Sequence, residues 1–134
     1  MAVKKARLRA SANTVTVVGI GMSPDDLSNK ALSMIEEADI LIGGKRHLNC
    51  FLKLPAKKVP ISKNFKPILN VITTSLKKKK KVVVIASGDP GYYGIAKYLV
   101  AQLGKEKIEI IPNITTFQAA FAKIKESWDD AFLL

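Results

Sequence analysis

Short apolar segments alternate with longer amphipathic segments along most of the chain. The apolar segments predict strands at residues 14–18, 39–42, 57–61, 82–86 and 107–111. Apolar residues at helical spacing predict helices at residues 23–39, 45–52, 65–79, 95–103 and 117–124. This alternation is typical of an α/β domain with a mainly parallel sheet. The segment 82–86 is apolar throughout, which is expected where helices cover both faces of the sheet.

Cap and breaker residues refine two of these elements. Pro60 removes a backbone donor from the segment 57–61, so we predict an edge strand there. Ser23 and Ser28 are alternative N-caps for the helix at 23–39. The last four residues, 131–134 (AFLL), have the apolar character of a strand that is just beginning.

Three predicted strands end in glycine-rich segments. Gly19-Ile20-Gly21 follows the first strand, Gly43-Gly44 the second, and residues 87–91 (SGDPG) the strand at 82–86. Ligands of open parallel sheets bind outside the carboxyl ends of the strands. We therefore expect a ligand-binding site that these three segments share.

Common site chemistries do not match these segments. The segment after the first strand lacks the third glycine of a dinucleotide-binding fingerprint, and Pro24 holds its place. No phosphate-binding loop of the G-x-x-x-x-G-K-[ST] type occurs. His47 and Cys50 are two ligands at most, which is too few for a metal site. No catalytic residue can be named from these patterns.

Asp89 is the most informative candidate. Its carboxylate at the mouth of the sheet suits a ribose hydroxyl or a cationic group and repels phosphate. Such a site fits a nucleoside that lacks phosphates and carries positive charge, for example S-adenosylmethionine. The alternative is a tight turn in which Asp89 only caps the following helix.

The composition adds a strong basic bias. The chain has 22 Lys and Arg against 11 Asp and Glu, which gives a formal net charge of +11. Such a balance favours polyanionic partners: nucleic acid, an anionic membrane face, or a small molecule with several carboxylates or phosphates. The alternative is that the charge only keeps the chain soluble. We do not favour nucleic acid, because the lysine run at 77–81 has no aromatic neighbours and suits a helix C-terminus.

Length and hydrophobicity indicate one folded domain. The chain has 134 residues, of which 48% are hydrophobic, enough for a real core. We expect the domain to span 14–134 and the basic tail at 1–13 to be disordered. No apolar run is long enough for a membrane span or a secretory signal, so we expect a cytoplasmic protein without a membrane partner.

Five segments together resemble the tetrapyrrole methylases. They are 17–21 (VVGIG), 42–48 (IGGKRHL), 87–96 (SGDPGYYGIA), 112–116 (PNITT) and 127–131 (SWDDA). Their order and spacing imply that residues 14–134 form the N-terminal α/β domain of a two-domain methylase, with the second domain absent. Met22-Ser23 departs from the family's Pro-Gly, and Asn113 replaces its usual glycine. We expect the turn at Asn113 to persist, because asparagine tolerates left-handed backbone.

The resemblance also implies an activity and a site. It implies an enzyme that uses S-adenosyl-L-methionine to methylate a bridging carbon, carbon 5, of a precorrin in cobalamin biosynthesis. The cofactor-binding residues it implies are Gly21, Pro24, Ser87, Gly88, Asp89, Tyr92, Thr115 and Thr116. Lys45, Arg46 and His47 are our candidates for binding the carboxylates of the substrate, unless they are ordinary solvated helix residues.

The sequence also gives expectations about the partners of the chain and about alternative functions. We expect a homo-oligomer, because a domain without its packing partner exposes apolar surface. A decarboxylating partner, fused or separate, also fits the implied pathway. Two alternative functions stay open: a family member with another substrate, such as uroporphyrinogen or a protein side chain, and a non-catalytic basic module that binds nucleic acid.

Overall fold

The computed structural model describes residues 13–92 and 94–131. The predicted N-terminal tail, apart from Asn13, and residues 132–134 of the predicted last strand lie outside these ranges. Within them, no helix combines the length and the apolar character that crossing a lipid bilayer requires.

A five-stranded sheet forms the centre of the domain. Its strands are β1 (Val15–Gly19), β2 (Ile40–Gly43), β3 (Lys57–Pro60), β4 (Val82–Ala86) and β5 (Ile108–Ile111). Their order is β3-β2-β4-β1-β5, and all four neighbouring pairs are parallel. The predicted sheet is therefore confirmed. β3 lies at one edge, as Pro60 predicted, because a residue without an N–H group is tolerated there.

Helices cover both faces of the sheet. They are α1 (Asn29–Glu37), α2 (Lys45–Leu48), α3 (Lys66–Lys77), α4 (Ile95–Leu103) and α5 (Thr116–Ile124), with 3₁₀ turns at Pro24–Asp26, Asn49–Phe51 and Lys105–Lys107. On one face Ile85 of β4 belongs to a buried cluster with Met34 and Ile35 of α1. On the other face Val84 belongs to a cluster that contains Ile72 of α3 and Leu99 of α4. Alternate residues of β4 thus serve two separate cores, which accounts for its uninterrupted apolar sequence.

The predicted helix at 23–39 is shorter than its apolar spacing indicated. α1 begins at Asn29, and the Ser28 hydroxyl accepts a hydrogen bond from the Ala31 N–H at 3.1 Å. Ser23 instead precedes the 3₁₀ turn and makes no side-chain cap bond to it. Leu27 is extended between the two, which interrupts the helix. Ser28, not Ser23, is therefore the N-cap.

Parallel pairing brings the carboxyl ends of the strands to one edge of the sheet. Gly19 at the end of β1 pairs with Ala86 at the end of β4, and Ile42 of β2 pairs with Val84. We name the segments that follow the strands the β1 loop (20–26), the β4 loop (87–92) and the β5 loop (112–115). All three emerge at this edge, together with α2, which begins just after β2.

Candidate functional site

Two adjoining cavities lie at the carboxyl edge of the sheet. The larger has a volume of about 490 Å³ and extends over β4 toward α4, where Phe65 and Ile95 line it. The smaller, of about 390 Å³, lies against the β1 loop, where Ile20 and Met22 line it. Four residues line both cavities: His47, Ser87, Gly88 and Thr116. We call the two cavities together the cleft.

The cleft gathers ten of the eleven residues that the sequence predicted for the site. The larger cavity contains His47, Ser87, Gly88, Asp89, Tyr92, Thr115 and Thr116. The smaller one adds Gly21, Pro24 and Arg46. Lys45 is exposed and lines neither cavity as the described residues define them. Its role in binding substrate therefore has no support from its position.

The β1 and β4 loops are joined by backbone hydrogen bonds. The Gly21 N–H donates to the Gly88 carbonyl and the Gly88 N–H donates to the Gly21 carbonyl, each at 3.1 Å. Both glycines have positive φ, +70° at Gly21 and +56° at Gly88, a region that L side chains rarely adopt. A Cβ at Gly21 would also lie 2.6 Å from the Asp26 Cβ. The positive φ at both positions, and the lack of space for a Cβ at Gly21, explain why glycine occurs there.

The Asp89 carboxylate holds the β4 loop. Its Oδ2 accepts a hydrogen bond from the Gly91 N–H at 2.8 Å, which closes a tight turn. Its Oδ1 accepts from the Asn113 N–H at 2.9 Å, which ties the β4 loop to the β5 loop. Asp89 also lines the larger cavity. The tight turn of the alternative is therefore observed, but Asp89 does not cap the following helix, whose N-cap is Gly94. Contact with a ligand through the remaining lone pairs stays a prediction.

The two adjacent threonines have different surroundings. Thr115 is buried, and its hydroxyl accepts from the Gln118 N–H at 3.2 Å while the Gln118 side chain accepts from the Thr115 N–H at 2.8 Å. This capping box begins α5. Thr116 is exposed and lines both cavities. Thr115 is thus engaged in holding the helix, and Thr116 is the better placed of the two to contact a ligand.

His47 lies between the two cavities and is partly buried. Burial, and secondarily the positive charge of Arg46, lower the pKa of His47 below its ordinary value of 6.5. The imidazole is therefore neutral at neutral pH and offers a hydrogen bond, not a charge. Arg46 is the permanent cation of the cleft wall.

Tyr92 begins a row of aromatic rings beside the cleft. Its ring centroid lies 5.3 Å from that of Phe117, and the Phe117 centroid lies 5.2 Å from that of Trp128. Both spacings are typical of favourable aromatic pairs. Phe117 was predicted only as a helix residue, and Trp128 only as part of a motif, because contacts between distant segments leave no periodic signal.

Asn113 differs from its prediction. We expected asparagine to tolerate a left-handed backbone there, but among described residues other than glycine only Lys79 and Lys125 have positive φ. The Asn113 side chain instead donates to the Gly19 carbonyl at 2.9 Å and to the Asp26 carbonyl at 3.1 Å. Hydrogen bonding, not backbone tolerance, is the physical reason that asparagine suits this loop.

A parallel sheet that gathers glycine-rich loops around a cleft at its carboxyl edge is typical of α/β ligand-binding domains. Comparison with known families makes this specific. The chain belongs to the tetrapyrrole (corrin/porphyrin) methylases, whose family description matches residues 14–133.

Individual relatives agree with this family. A protein of Methanocaldococcus jannaschii named probable cobalt-precorrin-7 C(5)-methyltransferase is 36% identical over 90% of this chain and 58% of its own length. The cobalt-precorrin-7 C(5)-methyltransferase of Salmonella typhimurium is 38% identical over 89% of this chain and 59% of its own. The chain therefore spans just under three fifths of these curated relatives.

A solved structure supports the fold. The uroporphyrin-III C-methyl transferase of Thermus thermophilus, solved in complex with S-adenosylhomocysteine, superposes with a TM-score of 0.67 and 25% identity. The match covers 80% of this chain and 51% of that one.

Proposed function

We propose that this chain supplies the nucleoside-binding domain of a methyltransferase that uses S-adenosyl-L-methionine to methylate carbon 5 of a cobalt-precorrin in cobalamin biosynthesis. The observation that carries the proposal is the cleft, which gathers ten of the eleven residues predicted for the site, in a chain of the tetrapyrrole methylase family. Two relatives named for this reaction support the choice of substrate. A second domain, of the kind the resemblance implies, would complete the site.

The described residues fit a nucleoside cofactor. The larger cavity, at about 490 Å³, is within the usual range for small-molecule sites. Its wall combines apolar side chains, such as Ile61 and Ile95, with the polar groups of Ser87 and Thr116. Gly88 brings its backbone to the wall without a side chain, which allows a ligand to approach closely. A solved relative named for its bound S-adenosylhomocysteine supports the same ligand class.

In the proposed reaction, this chain mainly positions the cofactor and the substrate. When bound, the cofactor supplies a methyl group already activated by its sulfonium charge. The bridged β1 and β4 loops hold a fixed wall at Gly21 and Gly88, so ligand and substrate meet with little reorganisation. The apolar residues of the larger cavity exclude water from the reacting atoms. We assign no general base, because reaction of an electron-rich bridging carbon does not demand a strong one.

Substrate carboxylates would meet the wall of the smaller cavity. Arg46 offers two parallel N–H groups, a geometry that suits a carboxylate. His47, neutral at neutral pH, offers one further donor beside it. Lys45 would act only at longer range, since it lies outside the cleft.

Calorimetric titration of S-adenosylhomocysteine tests the proposal. Ser87 is exposed and lines both cavities, so Ser87→Phe should fill the cleft and abolish detectable binding. Thr74→Phe is the matched control, because it places the same ring on an exposed position of α3, near the opposite edge of the sheet. We expect saturable binding by the unchanged chain and by the control only.

A second titration separates an incomplete site from a wrong assignment. It uses this chain joined to the part of the Methanocaldococcus jannaschii relative that the chain does not cover. Binding only in the joined protein would mean that the second domain supplies necessary contacts. Absence of binding in both would reject the methyltransferase proposal.

A transfer assay with the joined protein identifies the substrate. We expect methyl transfer to cobalt-precorrin-7 and none to uroporphyrinogen III, because the relatives named for the first substrate match over about nine tenths of this chain. Transfer to uroporphyrinogen alone would favour the other family substrate.

A further inference from the structure

Three loops surround the cleft, and only two of them are joined by backbone pairing. The β1 and β4 loops are held by the two hydrogen bonds between Gly21 and Gly88, and by the Ile20 N–H, which donates to the Ala86 carbonyl at 2.9 Å. The β5 loop has no such backbone pair to either neighbour among the described residues. Beyond the pairing of β5 with β1, which ends at Ile111 and Val18, the hydrogen bonds that connect it to the other two loops therefore involve side chains.

Asn113 provides the missing connections. Its Nδ2 donates to the Gly19 carbonyl at 2.9 Å and to the Asp26 carbonyl at 3.1 Å, which spans both ends of the β1 loop. Its backbone N–H donates to Asp89 Oδ1 at 2.9 Å, which connects it to the β4 loop. Its own Oδ1 accepts from the Ile114 N–H at 2.8 Å, which orients the amide. Both side-chain N–H groups and the side-chain oxygen are thus engaged.

We propose that Asn113 is a positioning residue that fixes the β1, β4 and β5 loops relative to one another around the cleft. It acts through its neighbours, since it lines neither cavity as the described residues define them. Two carbonyl oxygens converge on its side chain, and a carbonyl accepts hydrogen bonds only. A donor of two N–H groups is therefore required, which asparagine supplies and aspartate or glycine does not.

Close packing also restricts which residue can stand at Gly19, the end of β1. The closest atoms to a Cβ built on Gly19 are the Gly88 carbonyl oxygen at 2.5 Å, Pro90 Cδ at 2.8 Å and Asn113 Cβ at 2.9 Å. Two atoms of the β4 loop and one of the β5 loop would thus lie within 2.9 Å of a side chain at the end of β1. The asparagine amide holds this close approach, which leaves no room for a larger residue at Gly19.

Amide hydrogen exchange in the 134-residue chain tests the inference directly. Asn113→Gly removes both donors and keeps the backbone bond to Asp89, and Asn113→Asp keeps the shape and removes the donors. We expect exchange at the Gly21 and Gly88 amides to accelerate about tenfold or more, because two hydrogen bonds are lost. Exchange at Val84, in the buried centre of the sheet, should change less than about twofold.

Asn70 provides the control for the two Asn113 variants. Asn70→Ala removes an exposed asparagine from α3 and should change neither set of amides. Unchanged exchange at Gly21 and Gly88 in both Asn113 variants would overturn the inference. A uniform acceleration that includes Val84 would also overturn it, because Asn113 would then stabilise the whole fold and not the loops. If Asn113→Asp does not fold, Asn113→Gly alone decides.

Ligand affinity extends the test to the site and rests on the proposed function. In the form of the protein that binds S-adenosylhomocysteine, we expect both Asn113 variants to bind about tenfold more weakly and Asn70→Ala to bind normally. Faster amide exchange at Gly21 and Gly88 with unchanged affinity for S-adenosylhomocysteine would show that Asn113 does not position the residues that bind the cofactor. Absence of binding by every form would reject the proposed function, while the exchange result would still decide the role of Asn113.

Discussion

Gly21 offers a sharp test of how the loops at the cleft are built. In Gly21→Ala, the new Cβ must occupy a backbone with φ of +70°, which costs an L residue about 1–2 kcal/mol. It would also lie 2.6 Å from Asp26 Cβ and 2.8 Å from Asp26 Oδ2. That carboxylate accepts a hydrogen bond from the Met22 N–H at 2.8 Å, so displacing it adds about 1 kcal/mol. We expect a total destabilisation of about 2–3 kcal/mol.

Gly44→Ala is the matched control, because Gly44 also follows the end of a strand, β2. Gly44 has φ of −61°, and the atom nearest to a new Cβ is His47 Nδ1 at 3.7 Å, an ordinary van der Waals contact. We expect this change to cost less than about 1 kcal/mol, most of it from the poorer N-cap.

Equilibrium unfolding in urea, followed by far-ultraviolet circular dichroism, measures both variants. With a slope of about 2 kcal/mol per molar, Gly21→Ala should lower the unfolding midpoint by about 1–1.5 M. Free energies of the two variants within about 0.5 kcal/mol of each other would refute the reasoning. The positive φ and the close Asp26 contact would then not limit this position.

Three further predictions concern the core, the pH dependence and the surface. The Thr16 hydroxyl is buried without a hydrogen-bond partner among the described residues, so Thr16→Val should raise the free energy of urea unfolding by about 1 kcal/mol; a decrease would indicate a missed partner. Because the pKa of His47 is lowered on folding, the unfolded chain binds that proton more tightly. The free energy of unfolding should therefore reach its highest value above pH 6.5 and decrease as the pH falls below 6.5. His47→Gln should make this decrease smaller, and an identical pH dependence in both proteins would show that folding does not lower the pKa of His47. Ile124 and Trp128 have exposed fractions of 63% and 43%, so we expect concentration-dependent association in sedimentation that Ile124→Lys weakens; a monomer at all concentrations would contradict this.

Local patterns in the sequence predicted most of the architecture. The apolar run at 82–86 indicated a strand buried on both faces, and β4 occupies the centre of the sheet between β2 and β1. Glycine-rich segments after the strands indicated a site at the carboxyl edge, and the cleft lies there. These features are readable because each depends on the spacing of residues within one short segment.

The tertiary structure alone decided how the loops are joined and which of two adjacent basic side chains lines the cleft. Asn113 and Gly19 are 94 positions apart, yet one hydrogen bond of 2.9 Å connects them. No periodicity marks such a pair, because the contact exists only after the parallel sheet has aligned the ends of β1 and β5. The same holds for Lys45 and Arg46, which are adjacent in sequence and equally basic. The turn of α2 leaves only Arg46 beside the cleft, since consecutive helix residues point in different directions.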